Sequence, residues 1–211
     1  MITEDNYCIL IPARRDSKGV PFKNRKLFSM VLSQISKDLC GRVFVSTNDS
    51  IIREMSDSAG FNVHERTEES ASDSATTKDM VKDFLKSNLS YEYVIMLYLT
   101  YPHRRPQDIR KALDFFRKNN AKSMLCREEV DNSPYLMMFE EEHNRGSQII
   151  RHNLCRRQDY RDCFRLSHYI SIFKAIEVDN LNNNMYNEDT IFYKTSNSLD
   201  IDDVRDMDRL I

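Results

Sequence analysis

The chain has 211 residues, of which 40% are hydrophobic and 30% charged, and its formal net charge is -2. This length and composition suit one globular domain with a proper core, and the near-neutral charge excludes the basic bias of a nucleic-acid binder. The apolar runs are too short to cross a bilayer. The opening Met1-Ile2-Thr3-Glu4-Asp5-Asn6 also lacks a signal peptide's basic start and apolar middle. A cytoplasmic location with no membrane partner is therefore expected.

Residues 7–12 (Tyr7-Cys8-Ile9-Leu10-Ile11-Pro12) read as a buried first strand. A polar loop follows, with Arg14, Arg15, Lys18, Lys23, Arg25 and Lys26 against the single acid Asp16. Residues 27–39 carry a weak helical pattern. A second strand is predicted over 42–47, with Asn48 or Asp49 capping a helix over 50–59 that Gly60 ends. Residues 61–64 make a short strand. Ser72 to Ser74 offer a cap for a helix over 77–86, whose apolar face is Met80, Val81, Phe84 and Leu85. Residues 93–99 form an apolar strand, and Pro106 opens a helix reaching Lys118. A further strand covers 123–126.

Alternating strands and helices with short connections predict an α/β fold, with a mostly parallel sheet covered on both faces. Such sheets bind ligands at the carboxyl ends of their strands, and the first such end is the basic loop. From 128 to about 165 the pattern loosens into short, charged pieces. The chain is thus read as one domain, 1–211, with 128–167 as an excursion for dimerisation or acceptor binding. Residues 169–174 and 190–194 look like returning strands. Five scattered cysteines without a CxxC pair read as reduced thiols. His64, His103, His143 and His152 read as surface residues.

The string Ile11-Pro12-Ala13-Arg14-Arg15-Asp16-Ser17-Lys18-Gly19-Val20-Pro21-Phe22-Lys23-Asn24 resembles the signature loop of the CMP-sugar synthetases, the acylneuraminate and 3-deoxy-manno-octulosonate cytidylyltransferases. Further stretches follow in that family's order: Val45 to Asp49, Arg66 with Ala71 to Thr76, Leu97 to Pro102, Arg156-Arg157-Gln158 with Phe164-Arg165, and Ser198 to Asp202. The resemblance implies a Rossmann-like nucleotide-diphospho-sugar transferase fold with a protruding dimerisation arm. It also implies transfer of CMP from CTP to an acidic, sialic-acid-like sugar, with release of pyrophosphate.

That chemistry needs fixed positive groups and a metal, because negative charge spreads over phosphate oxygens in the transition state. Arg14 and Lys23 match the family's phosphate-contacting pair, with Ser17 and Lys18 as further phosphate ligands. Ala13, Asn24, Arg66, Ser72 and Ser74 fall where the family binds the nucleotide; capping a helix explains the two serines equally well. Tyr98, Thr100, Gln158, Arg165 and His168 fall at the acceptor site. Asp200 and Asp202, two apart, share one face of an extended segment and match the family's magnesium-holding pair. A divalent cation relieves their mutual repulsion, and Asp202 is placed to accept the proton of the attacking hydroxyl. Asp203 is left as the cap of a terminal helix over 203–210, with Asp206 and Asp208 as solvated charges.

The sequence also departs from the family. Arg15 and Asp16 replace two small residues, Tyr98 and Tyr101 stand in the usual glutamine-proline-threonine-serine-proline run, and Ser167-His168 replaces an asparagine-glycine. Other expectations therefore stay open: another nucleotide, another acidic acceptor such as a phosphonate, or a non-catalytic interaction module.

Overall fold

The computed structural model describes residues 6–16, 20–88, 90–130, 132–196 and 198–210. Its frame is set by strand β1 (Tyr7–Pro12). Successive side chains of a strand point to opposite faces. Ile9 and Ile11 accordingly enter one buried cluster while Cys8 and Leu10 enter another. A strand apolar on both faces must lie at the centre of a covered sheet. It does: β1 pairs in parallel with β2 (Val43–Thr47) and β4 (Tyr93–Met96).

The seven-stranded sheet has the order β3-β2-β1-β4-β8-β5-β9. Here β3 is Asn62–Glu65, β5 is Ser123–Glu129, β8 is Phe164–Lys174 and β9 is Ile191–Lys194. Strand β8 runs antiparallel to both its neighbours, β4 and β5, and the other pairings are parallel. The expected mostly parallel sheet is present. Leu27, Phe28 and Val31 of α1 (Lys23–Leu32), Ile52 of α2 (Ser50–Ser58) and the apolar side of α5 (Pro106–Lys118) pack on one face. Met80, Val81, Phe84 and Leu85 of α4 (Thr77–Ser87) pack on the other. A short helix α3 (Glu68–Ala71), not foreseen in the sequence, precedes α4.

Several boundaries differ from expectation for local reasons. The helix expected to reach 39 ends at Leu32. The Ser33 hydroxyl bonds back to the Met30 carbonyl, and the buried Gln34 amide donates to the carbonyls of Tyr101 and Pro102, which draws the chain away. Helix α4 is capped by Thr76 rather than by Ser72 to Ser74. The Thr76 side chain accepts from the Asp79 N–H, and Asp79 accepts from the Thr76 N–H, a reciprocal box. Gly60 ends the α2 segment with a φ of 72°, as glycine readily does. The excursion contains a two-stranded hairpin, β6 (Met138–Glu141) and β7 (Arg145–Gln148). Its Met138 and Phe139 are more than half exposed. At its base His152 is not a lone surface residue: it packs edge-on against the stacked rings of Tyr135 and Tyr160. Among the described residues, no helix is long and apolar enough to cross a membrane.

Candidate active site

The carboxyl end of β1 delivers the chain to the basic loop, and the loop is tied down at once. The Ala13 N–H donates to the Ser46 carbonyl at 2.9 Å, and the Thr47 hydroxyl donates to the Ala13 carbonyl at 2.6 Å. The N–H of buried Ala13 is thus spent on β2, while its carbonyl keeps a second lone pair. The Asn24 amide donates to the Arg14 carbonyl at 2.7 Å, closing the loop onto the start of α1. Ser17 and Lys18 lie outside the described residues.

A cavity of about 310 Å³ opens beside this loop, lined by Arg14, Lys23, Asn24, Arg66, Tyr98 and Thr100, among others. The structure therefore gathers the first four as the sequence predicted. It also adds Tyr98 and Thr100, which were expected on the acceptor side. The cavity is electropositive. Burial first, and the neighbouring Arg14 second, pull the Arg66 guanidinium down to about 10. Arg66 is held by donating to the Ser70 carbonyl at 2.8 Å. Arg14 is held by Asp73 at 3.0 Å and by the Ser72 carbonyl at 3.3 Å. Ser72 and Ser74 do not line this cavity. Their hydroxyls lie 3.1 Å apart and face an adjoining one of about 420 Å³.

The acidic end arrives at the same place. The Ile201 N–H donates to the Thr100 carbonyl at 2.9 Å, and the fully buried Ile201 side chain pins the strap 198–202 to the core. The Lys23 ammonium donates to the Ile201 carbonyl at 2.8 Å. That bond joins positions 178 apart in the sequence and sets the cationic cavity against the paired aspartates.

On the far side of the strap lies a larger cavity of about 650 Å³. Its walls include Asp200, Asp202, Arg165, Glu128, Tyr101 and Asp206. Asp200 Oδ1 is buried without a hydrogen-bond partner. Burial, and next the charge of Asp200, push the Asp202 carboxyl up. Two carboxylates, one with an orphaned buried oxygen, form a place that a cation would relieve. Among the described residues no group of three or more acidic, histidine or cysteine side chains could hold a metal. Two carboxylates nevertheless fit magnesium, which binds through one or two carboxylates plus substrate phosphates.

Arg165 reaches this cavity while ion-paired to the buried Glu128. Glu128 also accepts from Ser167 at 2.9 Å and Ser198 at 2.6 Å. These bonds outweigh burial and hold its carboxyl below the usual range. The Tyr101 hydroxyl accepts the His168 N–H at 3.2 Å. Burial, then the facing Asp200, raise its pKa. His168 packs edge-on against Tyr98 at 5.5 Å, and its pKa is lowered by burial. Gln158 lies elsewhere, in an exposed turn of the excursion, and is not brought to either cavity.

Sequence reasoning missed three residues. Arg104, 3% exposed, donates to the Tyr169 carbonyl, the Gln34 side chain and the Tyr98 carbonyl, and lies over the Tyr101 and Tyr169 rings. It fixes the 98–104 loop that serves both cavities. Asp206 is no free surface charge: its carboxylate accepts the N–H groups of Asp202 and Asp203. His64, read as a surface residue, lies 3.0 Å from the Ser46 hydroxyl and 3.9 Å from Asp83.

A nucleotidyltransferase fold of the Rossmann-like type is what this sheet and its carboxyl-end site define. The CTP-complexed structure of CMP:2-keto-3-deoxy-manno-octonic acid synthetase matches with a TM-score of 0.66 at 13% identity, over 97% of this chain and 96% of that one. The 4-diphosphocytidyl-2C-methyl-D-erythritol synthase of Anaerococcus prevotii matches with a TM-score of 0.67 at 12% identity, over 97% and 95%. The family is narrower: residues 8–168 match the family described as Cytidylyltransferase, and the chain belongs to it. An N-acylneuraminate cytidylyltransferase of Streptococcus agalactiae serotype V is 30% identical over 136 residues, 60% of this chain and 33% of that protein. The CMP-N,N'-diacetyllegionaminic acid synthase of Legionella pneumophila is 27% identical over 137 residues, 59% of each chain. The match thus spans about a third of the streptococcal relative's length.

Proposed function

We propose that this chain is a cytidylyltransferase joining CMP from CTP to an acidic, sialic-acid-like nonulosonate sugar. The observation that carries the reading is the Lys23–Ile201 bond, which ties the basic cavity to the strap that carries the aspartate pair. In this reading the triphosphate lies against Arg14, Lys23 and Arg66, whose fixed charge meets the charge developing on the phosphate oxygens. The acceptor enters the larger cavity, where Arg165 has donors left for a carboxylate beyond those bound to Glu128. The acceptor hydroxyl attacks the α-phosphorus. A new O–P bond forms, the bond to pyrophosphate breaks, and the hydroxyl proton passes to Asp202. Asp200 and Asp202 would hold magnesium, which neutralises phosphate charge when bound.

The relatives' names favour this acceptor class, and Tyr101, in the wall of the larger cavity, shapes its selection. The exposed Leu136, Met138 and Phe139 of the excursion support a homodimer, since apolar side chains grouped on a surface mark an interface. In that dimer Gln158, distant from its own chain's cavities, is free to serve the partner's. A cytoplasmic location suits an enzyme drawing on CTP.

The test is pyrophosphate release measured across CTP, UTP, ATP and GTP, each with sialic, legionaminic and octulosonic acceptors plus magnesium. Turnover with CTP and a nonulosonate is the expected result. Turnover with UTP or ATP in place of CTP would overturn the nucleotide assignment, and turnover with an octulosonate alone the acceptor class.

A further inference from the structure

A further cavity, of about 390 Å³, lies outside both parts of the site. It sits where the amino end of α5 meets the carboxyl end of β9, and the strap's Ser198 and Leu199 form a wall shared with the acceptor-side cavity. Its lining is rich in donors. Arg105, Lys111 and Lys194 contribute three cationic side chains, His103 an imidazole, and Thr195 and Ser198 hydroxyls that already donate to the Arg127 carbonyl and to Glu128.

One acid, Asp108, is present, and its carboxylate is fully engaged. It accepts from the Arg105 N–H and guanidinium and from the Tyr169 hydroxyl at 2.7 Å. The bonds from Arg105 and Tyr169 hold its pKa down against burial. Lys194 is ion-paired to Glu129, but both members are more than half exposed. Such a pair is weak and readily exchanged for a better anion. Lys111 makes no ion pair among those described. Arg105 and Asp108 cancel one another, so the excess of positive charge around this concave space rests on Lys111 and Lys194.

We propose that this cavity is a second, non-catalytic binding site for a small phosphate-type oxyanion. The Lys111 and Lys194 ammonium groups supply point charge to phosphate oxygens, and Arg105 Nη1, not used in its bond to Asp108, adds a further donor. A bound anion would bear on Ser198, whose hydroxyl donates to Glu128 beside the acceptor-side cavity. The proposal does not need the reaction assigned above, because binding is read without turnover.

The experiment follows the melting temperature of the full chain during titration with inorganic phosphate, pyrophosphate or glycerol phosphate, against sodium chloride of equal ionic strength. Wild type is compared with Lys111→Gln/Lys194→Gln, two exposed positions outside the proposed machinery, and with Lys23→Ala, which weakens the nucleotide cavity. The expected result is a saturable phosphate-dependent rise in wild type and Lys23→Ala that is lost in the double variant. The preferred titrant distinguishes the product pyrophosphate from a phosphate ester as the natural source. A rise that persists in the double variant and disappears in Lys23→Ala would place the anion in the nucleotide cavity and overturn the proposal. No rise beyond the chloride control in any variant would overturn it equally.

Discussion

The basic loop and the acidic strap meet at one hydrogen bond, yet their electrostatic states are opposite. On the loop side four cations have internal partners: Arg14 holds Asp73, Arg25 holds the buried Asp49 at 2.6 Å, Arg66 holds the Ser70 carbonyl and Lys23 the Ile201 carbonyl. On the strap side Asp200 keeps an oxygen buried and unpartnered, and Asp202 is disfavoured in its charged form by burial and by Asp200. One half of the site is settled as it stands; the other keeps a repulsion that a bound cation would relieve. In the proposed reading the loop exchanges partners for a triphosphate, while the strap gains one.

The largest effect that follows is at the strap. Asp202→Asn removes a carboxylate from the metal pair and the proton acceptor together, and turnover should fall about 10³-fold or more. In the absence of metal the same variant should melt no lower than wild type, because a like-charge repulsion has gone. Pyrophosphate release and a thermal melt without magnesium check both halves. A variant that melts well below wild type without metal would show that the strap, too, is already satisfied. Next comes the joint itself. Lys23→Ala deletes a phosphate charge and the tether to Ile201, so turnover should fall about 10²-fold. A loss confined to the KM for CTP would mean that Lys23 binds the ground state only.

Reading the sequence reached these two halves because both carry dense local signals. A run of cations directly after an apolar strand, and two aspartates in alternation, are visible without contacts. The sheet was legible for the same reason, since β1 and β4 are apolar on both faces. Arg104 was not legible. In the string His103-Arg104-Arg105-Pro106 it looks like its exposed neighbour, and only the fold shows it buried under Tyr101 and Tyr169. Tyr98 and Thr100, expected with Arg165 on the acceptor side, line the cavity of Arg14 and Lys23, because residues 98–101 turn between the two cavities and one residue of difference changes the wall on which a side chain falls. The β6–β7 hairpin was opaque because it buries little: with both faces wet, it has no alternating pattern to read.

A smaller effect tests how settled the loop is. The Arg14–Asp73 pair is partly exposed, at 28% and 62% for the two side chains, so breaking it costs at most about 1 kcal/mol. Asp73→Asn should therefore lower the KM for CTP by roughly five-fold at most and leave kcat unchanged. A raised KM would mean that Asp73 positions Arg14 for the nucleotide instead of competing with it.

The smallest effect lies beneath the loop, in its support on β2. His64 on β3 faces the Ser46 hydroxyl, and the Ser46 carbonyl accepts the Ala13 N–H at the root of the basic loop. Burial is the largest cause lowering the His64 pKa from 6.5; the nearby Asp83 opposes it without reversing the direction. The folded protein therefore takes up this proton less readily than the unfolded chain does. Above pH 6.5 neither state is charged and His64 contributes its full packing. As pH falls below 6.5 the unfolded chain protonates first, and stability is lost progressively until the folded pKa is passed. His64→Gln keeps a hydrogen-bonding side chain and removes the titration. The gap in melting temperature between wild type and this variant should thus shift in favour of the variant as pH is lowered from 7 to 5, by a degree or two in a chain of this size. If the gap stays constant across that range, His64 does not titrate between the two states. Acid sensitivity then belongs to carboxylates that the fold holds below their usual range, such as Glu128 beneath Arg165.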